Sequence, residues 1–212
     1  MTDKIDRLDD FDAVIFDLGG VLIDIDLKAT LSKFEALGLR SLPDRISQSH
    51  AGEGLLGRYE CGLATTPDFI AYVRSQTDRK VTDVELIDAW NAMLGEMDAR
   101  KIALVEKLKA RMPVYLLSNT NELHKQHFDG MAAGYDSLSQ LFDATFYSHE
   151  LHLRKPDPEI YTRVLAECGL AAHKVLFLDD SELNLKAADA LGISTILVSP
   201  QRSILDIFAG RL

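Results

Sequence analysis

Cysteine is scarce in this chain. Cys61 and Cys168 stand far apart, without metal-ligand spacing or a dense pairing pattern, which leaves no disulfide framework and no cysteine zinc module, so two structural thiols in a reducing compartment are expected. Long apolar runs are also missing. No segment approaches the roughly 18 residues of a membrane span, and the acidic start MTDKIDRLDD lacks the basic-then-apolar order of a secretory signal. Basic residues are the minority, 23 against 33 acidic for a net charge of -10, with no long Lys/Arg run, which disfavours nucleic acid and anionic membrane as partners. The expectation is a cytoplasmic protein with a small-molecule partner; a monomer and a homodimer fit equally. What the chain does have is 212 residues, 47% of them hydrophobic, enough for one sizeable core and a small accessory module.

Five short segments are apolar or β-branched almost throughout: AVIFD (13–17), VYLLS (114–118), ATFYS (144–148), KVLFLD (174–179) and STILVS (194–199). Continuous rather than alternating apolarity marks strands buried on both faces. Helical patterns separate them. RKIALVEKLKA (100–110) runs toward Pro113; Asp157, Pro158 and Gly169 supply the cap, first turn and stop of a helix over 158–168; Ser181 could cap a helix ended by Gly192. Strands alternating with helices predict a three-layer α/β fold with a mostly parallel sheet.

Residues 24–98 show no convincing strand. KATLSKFEAL (28–37), PDFIAYVRS (67–75) with Thr66 as cap, and VELIDAWNAML (84–94) after a Thr82/Glu85 capping box all read as helices. An all-helical insertion this long exceeds an ordinary connection. It reads either as a lid that returns to the sheet before residue 100 or as an extension packed permanently on the core. Trp90 is a packing residue in both cases.

In a parallel sheet the carboxyl ends of the strands face one crevice, where ligands bind. Here those ends carry Asp17 followed by Leu18-Gly19-Gly20, then Ser118-Asn119-Thr120, then Arg154-Lys155-Pro156, then Asp179-Asp180 with Asn184 one turn on. A carboxylate nucleophile, a hydroxyl, an ammonium and a carboxylate pair suit phosphoryl transfer through an aspartyl phosphate, because attack of one anion on another requires charge neutralisation. Asp17 and Asp180 are candidate Mg²⁺ ligands with the Gly19 carbonyl and Asn184, Lys155 stabilises charge, and Ser118 with the Asn119 backbone N–H at a helix start would hold phosphoryl oxygens. His124, near the second of these segments, is a candidate substrate contact. His127, His149 and His152 are expected to be structural or exposed. His50 and Glu53 in SHAGEG (49–54) are candidates for a loop entering the pocket.

The segments FDLGGVL (16–22), LLSNT (116–120), RKPDPEIY (154–161) and FLDDSELN (177–184) resemble, as a set, the four motifs of the haloacid dehalogenase-like (HAD) hydrolase superfamily. The resemblance implies a Rossmann-like core over 1–23 and 99–212 with sheet order 3-2-1-4-5, and a helical cap over 24–98. It implies Mg²⁺-dependent phosphomonoester hydrolysis with Asp17 as nucleophile, Asp180 as the direct metal ligand and Asp179 behind it. One position departs from the pattern. Phosphatases of this superfamily usually carry a second Asp two residues after the nucleophile as general acid and base, and this chain has Gly19. The proton must then come from Asp24, Asp26, a cap residue, substrate or solvent, or the reaction proceeds without it.

DLG followed by G, together with SNTNELH (118–124), resembles a subgroup of sugar-phosphate phosphatases, especially those acting on glucose 1-phosphate. The implied substrate is a small soluble phosphomonoester, with a hexose 1-phosphate as the specific expectation. Three alternatives stand beside it: a 2-haloacid dehalogenase using Asp17 without metal, a phosphorylatable receiver domain, which the helical insertion and motif order fit poorly, and a catalytically degenerate phosphate-binding or interaction protein.

Overall fold

The computed structural model describes residues 8–39, 54–77 and 79–212; His50 and Glu53 lie outside them. Five parallel strands form the central sheet: β1 (Ala13–Phe16), β4 (Val114–Ser118), β5 (Ala144–Tyr147), β6 (Val175–Asp179) and β7 (Ser194–Leu197). They lie in the order β5-β4-β1-β6-β7. Counted along the chain within this sheet, that is 3-2-1-4-5. Every residue of β1 and β6 is buried, which is why their sequence shows no alternation.

Helices cover the sheet. The helix α5 (Ala99–Lys109) starts at an Asp98 cap, α8 (Pro158–Cys168) at Asp157 and stops at Gly169, and α9 (Glu182–Ala190) follows β6. Ser181 precedes α9 without a capping side-chain bond; its backbone N–H is bound instead by Asp179 Oδ1 at 2.8 Å. Phe16, Leu116, Tyr147 and Leu178 bury into one layer of core with Val105 and Phe208, whereas Ile15, Leu117 and Phe177 face a second layer with Ile160 and Val164. Neighbouring strand residues thus feed opposite layers.

The stretch after β1 contains the helices expected of it, α1 (Leu27–Ala36), α2 (Gly54–Glu60), α3 (Thr66–Ser75) and α4 (Asp83–Asn91). Thr82 and Glu85 form the capping box of α4. For α3 the cap is Thr65, not Thr66, closed by a reciprocal box with Asp68. The expectation of no strand here is corrected by an antiparallel ribbon of β2 (Ile23–Ile25) and β3 (Leu94–Met97). Gly95 makes the pairing close: a Cβ there would lie 2.9 Å from the Asp24 carbonyl oxygen.

Phe34, Tyr59, Phe69, Val73 and Trp90 form a cluster of their own with Leu123, from the helix α6 (Glu122–Phe128). Tyr59 stacks on Phe69 at 4.7 Å, and Phe69 lies tilted on Trp90 at 4.9 Å. Polar bonds tie these helices to the sheet side of the molecule. The Glu60 and Cys61 carbonyls accept from Ser148 Oγ at 2.6 Å and pair with His152 Nδ1 at 2.9 Å, and Arg154 pairs with the Glu60 carboxylate at 3.1 Å. Cys61 and Cys168 are free thiols.

Candidate active site

Register alone brings two acids together. Phe16 of β1 pairs with Leu178 of β6, so one step further along the parallel strands Asp17 stands beside Asp179, at the carboxyl edge of the sheet. Asp17 leaves the strand still held to it, its N–H donating to the Leu178 carbonyl at 2.8 Å. Its Oδ1 accepts from the Leu18 N–H at 2.7 Å and from Lys155 Nζ at 2.8 Å. Lys155 is buried, and the same ammonium lies 2.6 Å from Asp179 Oδ2.

Asp179 is a hub rather than an open ligand. Its oxygens are taken by Lys155 Nζ, the Ser181 N–H and the Asn184 side-chain amide at 2.9 and 3.1 Å. Asp180 points the other way, exposed, with its Oδ2 against Gly20. A Cβ on Gly20 would fall 2.1 Å from that oxygen, and Gly20 has a φ of +69°, so both space and backbone demand glycine there. Asp17, Asp179 and Asp180 each offer one oxygen, all within 4.8 Å of one another, the single cluster of three such ligand residues found among the described residues.

Three carboxylates against one ammonium leave an excess of negative charge, and the titration behaviour follows from it. Burial pushes Asp17 up to about 7 against the pull of Lys155, with Asp179 and Asp180 adding repulsion. Asp180 is raised for the same reasons, burial first and Asp179 second. For Lys155 burial is the largest single effect and acts downward, but Asp17 and Asp179 together outweigh it and hold the ammonium above its ordinary value. Hard oxygen ligands with surplus negative charge fit a divalent cation such as Mg²⁺.

The second and third strand ends meet through Asn119. Its side-chain amide donates to the Lys155 carbonyl at 2.8 Å and its Oδ1 accepts from the Lys155 N–H at 2.9 Å. The sequence carries no sign of this clamp and predicts only a backbone role for Asn119 at a helix start. The helix starts later, at Glu122, and its cap is Asn121. Ser118 is buried at the end of β4, one step beyond the row of Asp17.

His124, the candidate substrate contact, sits in a packing position. It is buried, stacks on Trp90 at 4.7 Å, pairs through Nε2 with the Trp90 carbonyl at 3.2 Å and through Nδ1 with the Asn121 amide at 3.2 Å. Trp90 Nε1 in turn donates to Asn121 Oδ1 at 3.3 Å. Burial, the largest influence, lowers His124 to about 4. A histidine depressed in the folded state stabilises the fold above its unfolded pKa of 6.5, and that contribution is lost as pH falls toward 4. A His124→Gln variant is expected to lack it, so its stability gap to the wild type in urea melts should shrink by about 3 kcal/mol between pH 7 and pH 4. A gap constant with pH would contradict a neutral buried ring.

Asp24 and Asp26 have other partners than a leaving group. Asp24 pairs with Lys101 Nζ at 3.2 Å, and Asp26 caps α1 through the N–H groups of Lys28 and Ala29 at 3.0 and 3.3 Å. At Gly19 a side chain would be crowded: a Cβ there would meet Ile25 Cγ1 at 3.3 Å and Cδ1 at 3.4 Å.

The order of the sheet and the four strand ends, with an acid, a hydroxyl, a clamped lysine and an acid pair, invites comparison with known proteins. Residues 11–192 match the haloacid dehalogenase-like hydrolase family. The chain belongs to that family. As a HAD-like hydrolase it is 29% identical over 184 residues to a D-ribitol-5-phosphate phosphatase of Bacteroides thetaiotaomicron, covering 86% of this chain and 89% of the relative. It is 28% identical over 193 residues to a sesquiterpene phosphatase of Aspergillus oryzae, covering 86% and 87%. Among solved structures, a HAD-family enzyme of B. thetaiotaomicron in complex with magnesium and inorganic phosphate superposes with a TM-score of 0.80 at 33% identity, over 88% of this chain and 93% of that one. The HAD fold places the Asp17 strand centrally, as the sheet order here has it.

Proposed function

We propose that this hydrolase is a Mg²⁺-dependent phosphomonoesterase acting through a phosphorylated Asp17. The observation that carries the reading is the buried ammonium of Lys155 bridging Asp17 at 2.8 Å and Asp179 at 2.6 Å, with Asp180 close enough to complete a cation site. Asp17, Asp180 and the Gly19 carbonyl would hold Mg²⁺, with Asp179 and Asn184 behind them. When bound, the ion supplies the positive charge that lets two anionic groups approach.

An Asp17 oxygen attacks phosphorus, the ester oxygen leaves with the bonding pair, and water then cleaves the mixed anhydride to give inorganic phosphate and free Asp17. Lys155 offsets the charge on Asp17 and the phosphoryl oxygens, and Ser118 with the Asn119 N–H would bind those oxygens. Asn119 also holds the backbone of Lys155, so the phosphate site and the ammonium are set as one unit. No side chain at Gly19 gives a proton to the leaving group. Residues 24–98 act as a cap over the site, and 1–23 with 99–212 as the catalytic core.

The absent acid favours a leaving group that departs readily as an anion, which points to a hexose 1-phosphate. The B. thetaiotaomicron relative, a D-ribitol-5-phosphate phosphatase by name, makes a polyol phosphate the second substrate to test. A metal-free haloacid dehalogenase has no use for Asp180 beside Gly20, and a degenerate binding protein has none for a nucleophile held against a buried lysine. Release of inorganic phosphate from hexose 1-phosphates and pentitol 5-phosphates, and of halide from 2-haloacids, each with Mg²⁺ and with chelator, decides the matter. Mg²⁺-dependent release with the highest kcat/KM on an anomeric ester is expected; a clear preference for the primary ester would overturn the leaving-group argument, and metal-independent turnover of haloacids the whole reading.

A further inference from the structure

Ile25 is an apolar residue in an unusual place. It belongs to the three-residue strand β2, pairs with Leu94 across the ribbon, and is 44% exposed although its side chain packs over Gly19. Exposure of a branched aliphatic group is ordinary on a surface; here it lies over the residue two positions from the nucleophile, in the space from which a side chain at position 19 would serve the departing oxygen. Gly19 itself is not in the left-handed region. The backbone therefore admits another residue, and what opposes it is the 3.3 and 3.4 Å approach of Ile25.

We infer that Ile25 is a specificity-determining residue that packs on the leaving group of the phosphoester, putting an aliphatic contact where a proton donor would otherwise stand. The inference rests on the phosphomonoesterase reading and names the substrate class it favours: esters whose alcohol presents a C–H or aryl face next to the bridging oxygen. Inorganic phosphate has no such face, so the contact separates binding of phosphate from binding of ester.

The test uses full-length protein carrying Asp17→Asn, so that esters bind without turnover, with Mg²⁺ present. Calorimetry then gives Kd for inorganic phosphate and for phenyl phosphate, with Ile25 and with Ile25→Ala. The expected result is an unchanged Kd for inorganic phosphate and a Kd for phenyl phosphate weakened about fivefold, restored by Ile25→Val. Equal effects on both ligands, or on neither, would overturn the assignment while leaving the parent reading intact; failure to bind inorganic phosphate at all would overturn the parent reading and this one with it. Kinetics supply a second arm. With Asp17 intact, Gly19→Asp combined with Ile25→Ala should raise kcat/KM for a primary alkyl phosphate about a hundredfold over Ile25→Ala alone, the lower end of the range for an acid-base group. An equal gain from Gly19→Asp with Ile25 in place would show that Ile25 does not occupy that space.

Discussion

Exchanging Lys155 for methionine is expected to destabilise the metal-free protein by about 3–5 kcal/mol, the cost of stranding buried charges, and to lower kcat/KM by about a thousandfold, as loss of a donor aimed at developing charge does. The reason is the lack of a substitute. Asp17 and Asp179 are both buried, their strands are locked side by side by register, and the ammonium at 2.8 and 2.6 Å is the cation that faces both. Methionine fills similar volume, so the packing over the Phe177 ring, which Nζ approaches at 5.4 Å, is largely kept and the loss is electrostatic. The pH dependence has a definite sign. Asp17 is already raised from 3.8 to about 7 by burial, and a raised carboxylate favours the fold below its unfolded pKa and loses that advantage as pH climbs through the folded one. Without Lys155 the folded pKa rises further, so the variant's deficit should be small near pH 4 and largest above pH 7, and Mg²⁺ should recover part of it. A urea melt series from pH 4 to pH 8 reads this directly; a deficit that does not vary with pH would mean that lost packing, not charge, dominates.

How much of this could be read from the chain depends on the range of the forces involved. Strands buried on both faces announce themselves, because AVIF, VYLLS and VLFLD have no polar face to show, and a parallel sheet then sends Asp17, Ser118 and Asp179 to one edge. The capping box at Thr82 and the cap at Asp157 are local and came through intact. The β2–β3 ribbon did not: IDI is three residues long, and Leu94 continues the apolar spacing of the helix before it. Its pairing relies on the close approach at Gly95, a contact between chain positions about seventy residues apart.

The candidate site divides in the same way. That Asp17, Lys155 and the Asp179-Asp180 pair converge follows from topology. Which oxygen does what does not, since the turn of Asp179 toward Lys155 and Asn184, and of Asp180 toward Gly20, is decided by one peptide's orientation after β6. His124 shows the limit most plainly. Its place in the chain, six residues after Ser118, suggested the pocket, but α6 turns that face to Trp90, and a face depends on which partner helix is there. For Asn119 only the backbone role is legible in the sequence, because a side-chain clamp onto the Lys155 main chain has no sequence signature.

Replacing Asp17 with asparagine should reduce turnover by about 10⁴-fold or more, the scale seen when a member of a covalent catalytic unit is removed, while inorganic phosphate still binds with Mg²⁺. An amide cannot form the mixed anhydride, so acid-quenched protein incubated with radiolabelled substrate should carry label in the wild type and none in the variant. Stability should move the other way. Asp17 in its charged form is disfavoured by burial beyond what Lys155 offsets, and asparagine has the same shape without the charge, so above pH 7 the metal-free variant should melt at a higher temperature than the wild type. Near pH 4, where the folded wild type already holds the proton, the gain should vanish, and Mg²⁺ should reverse it by favouring the carboxylate. A carboxylate kept for structure would give the opposite pattern, with stability lost on substitution at every pH. If turnover is lost while stability is gained, the negative charge at the end of the central strand is kept for chemistry and not for the fold.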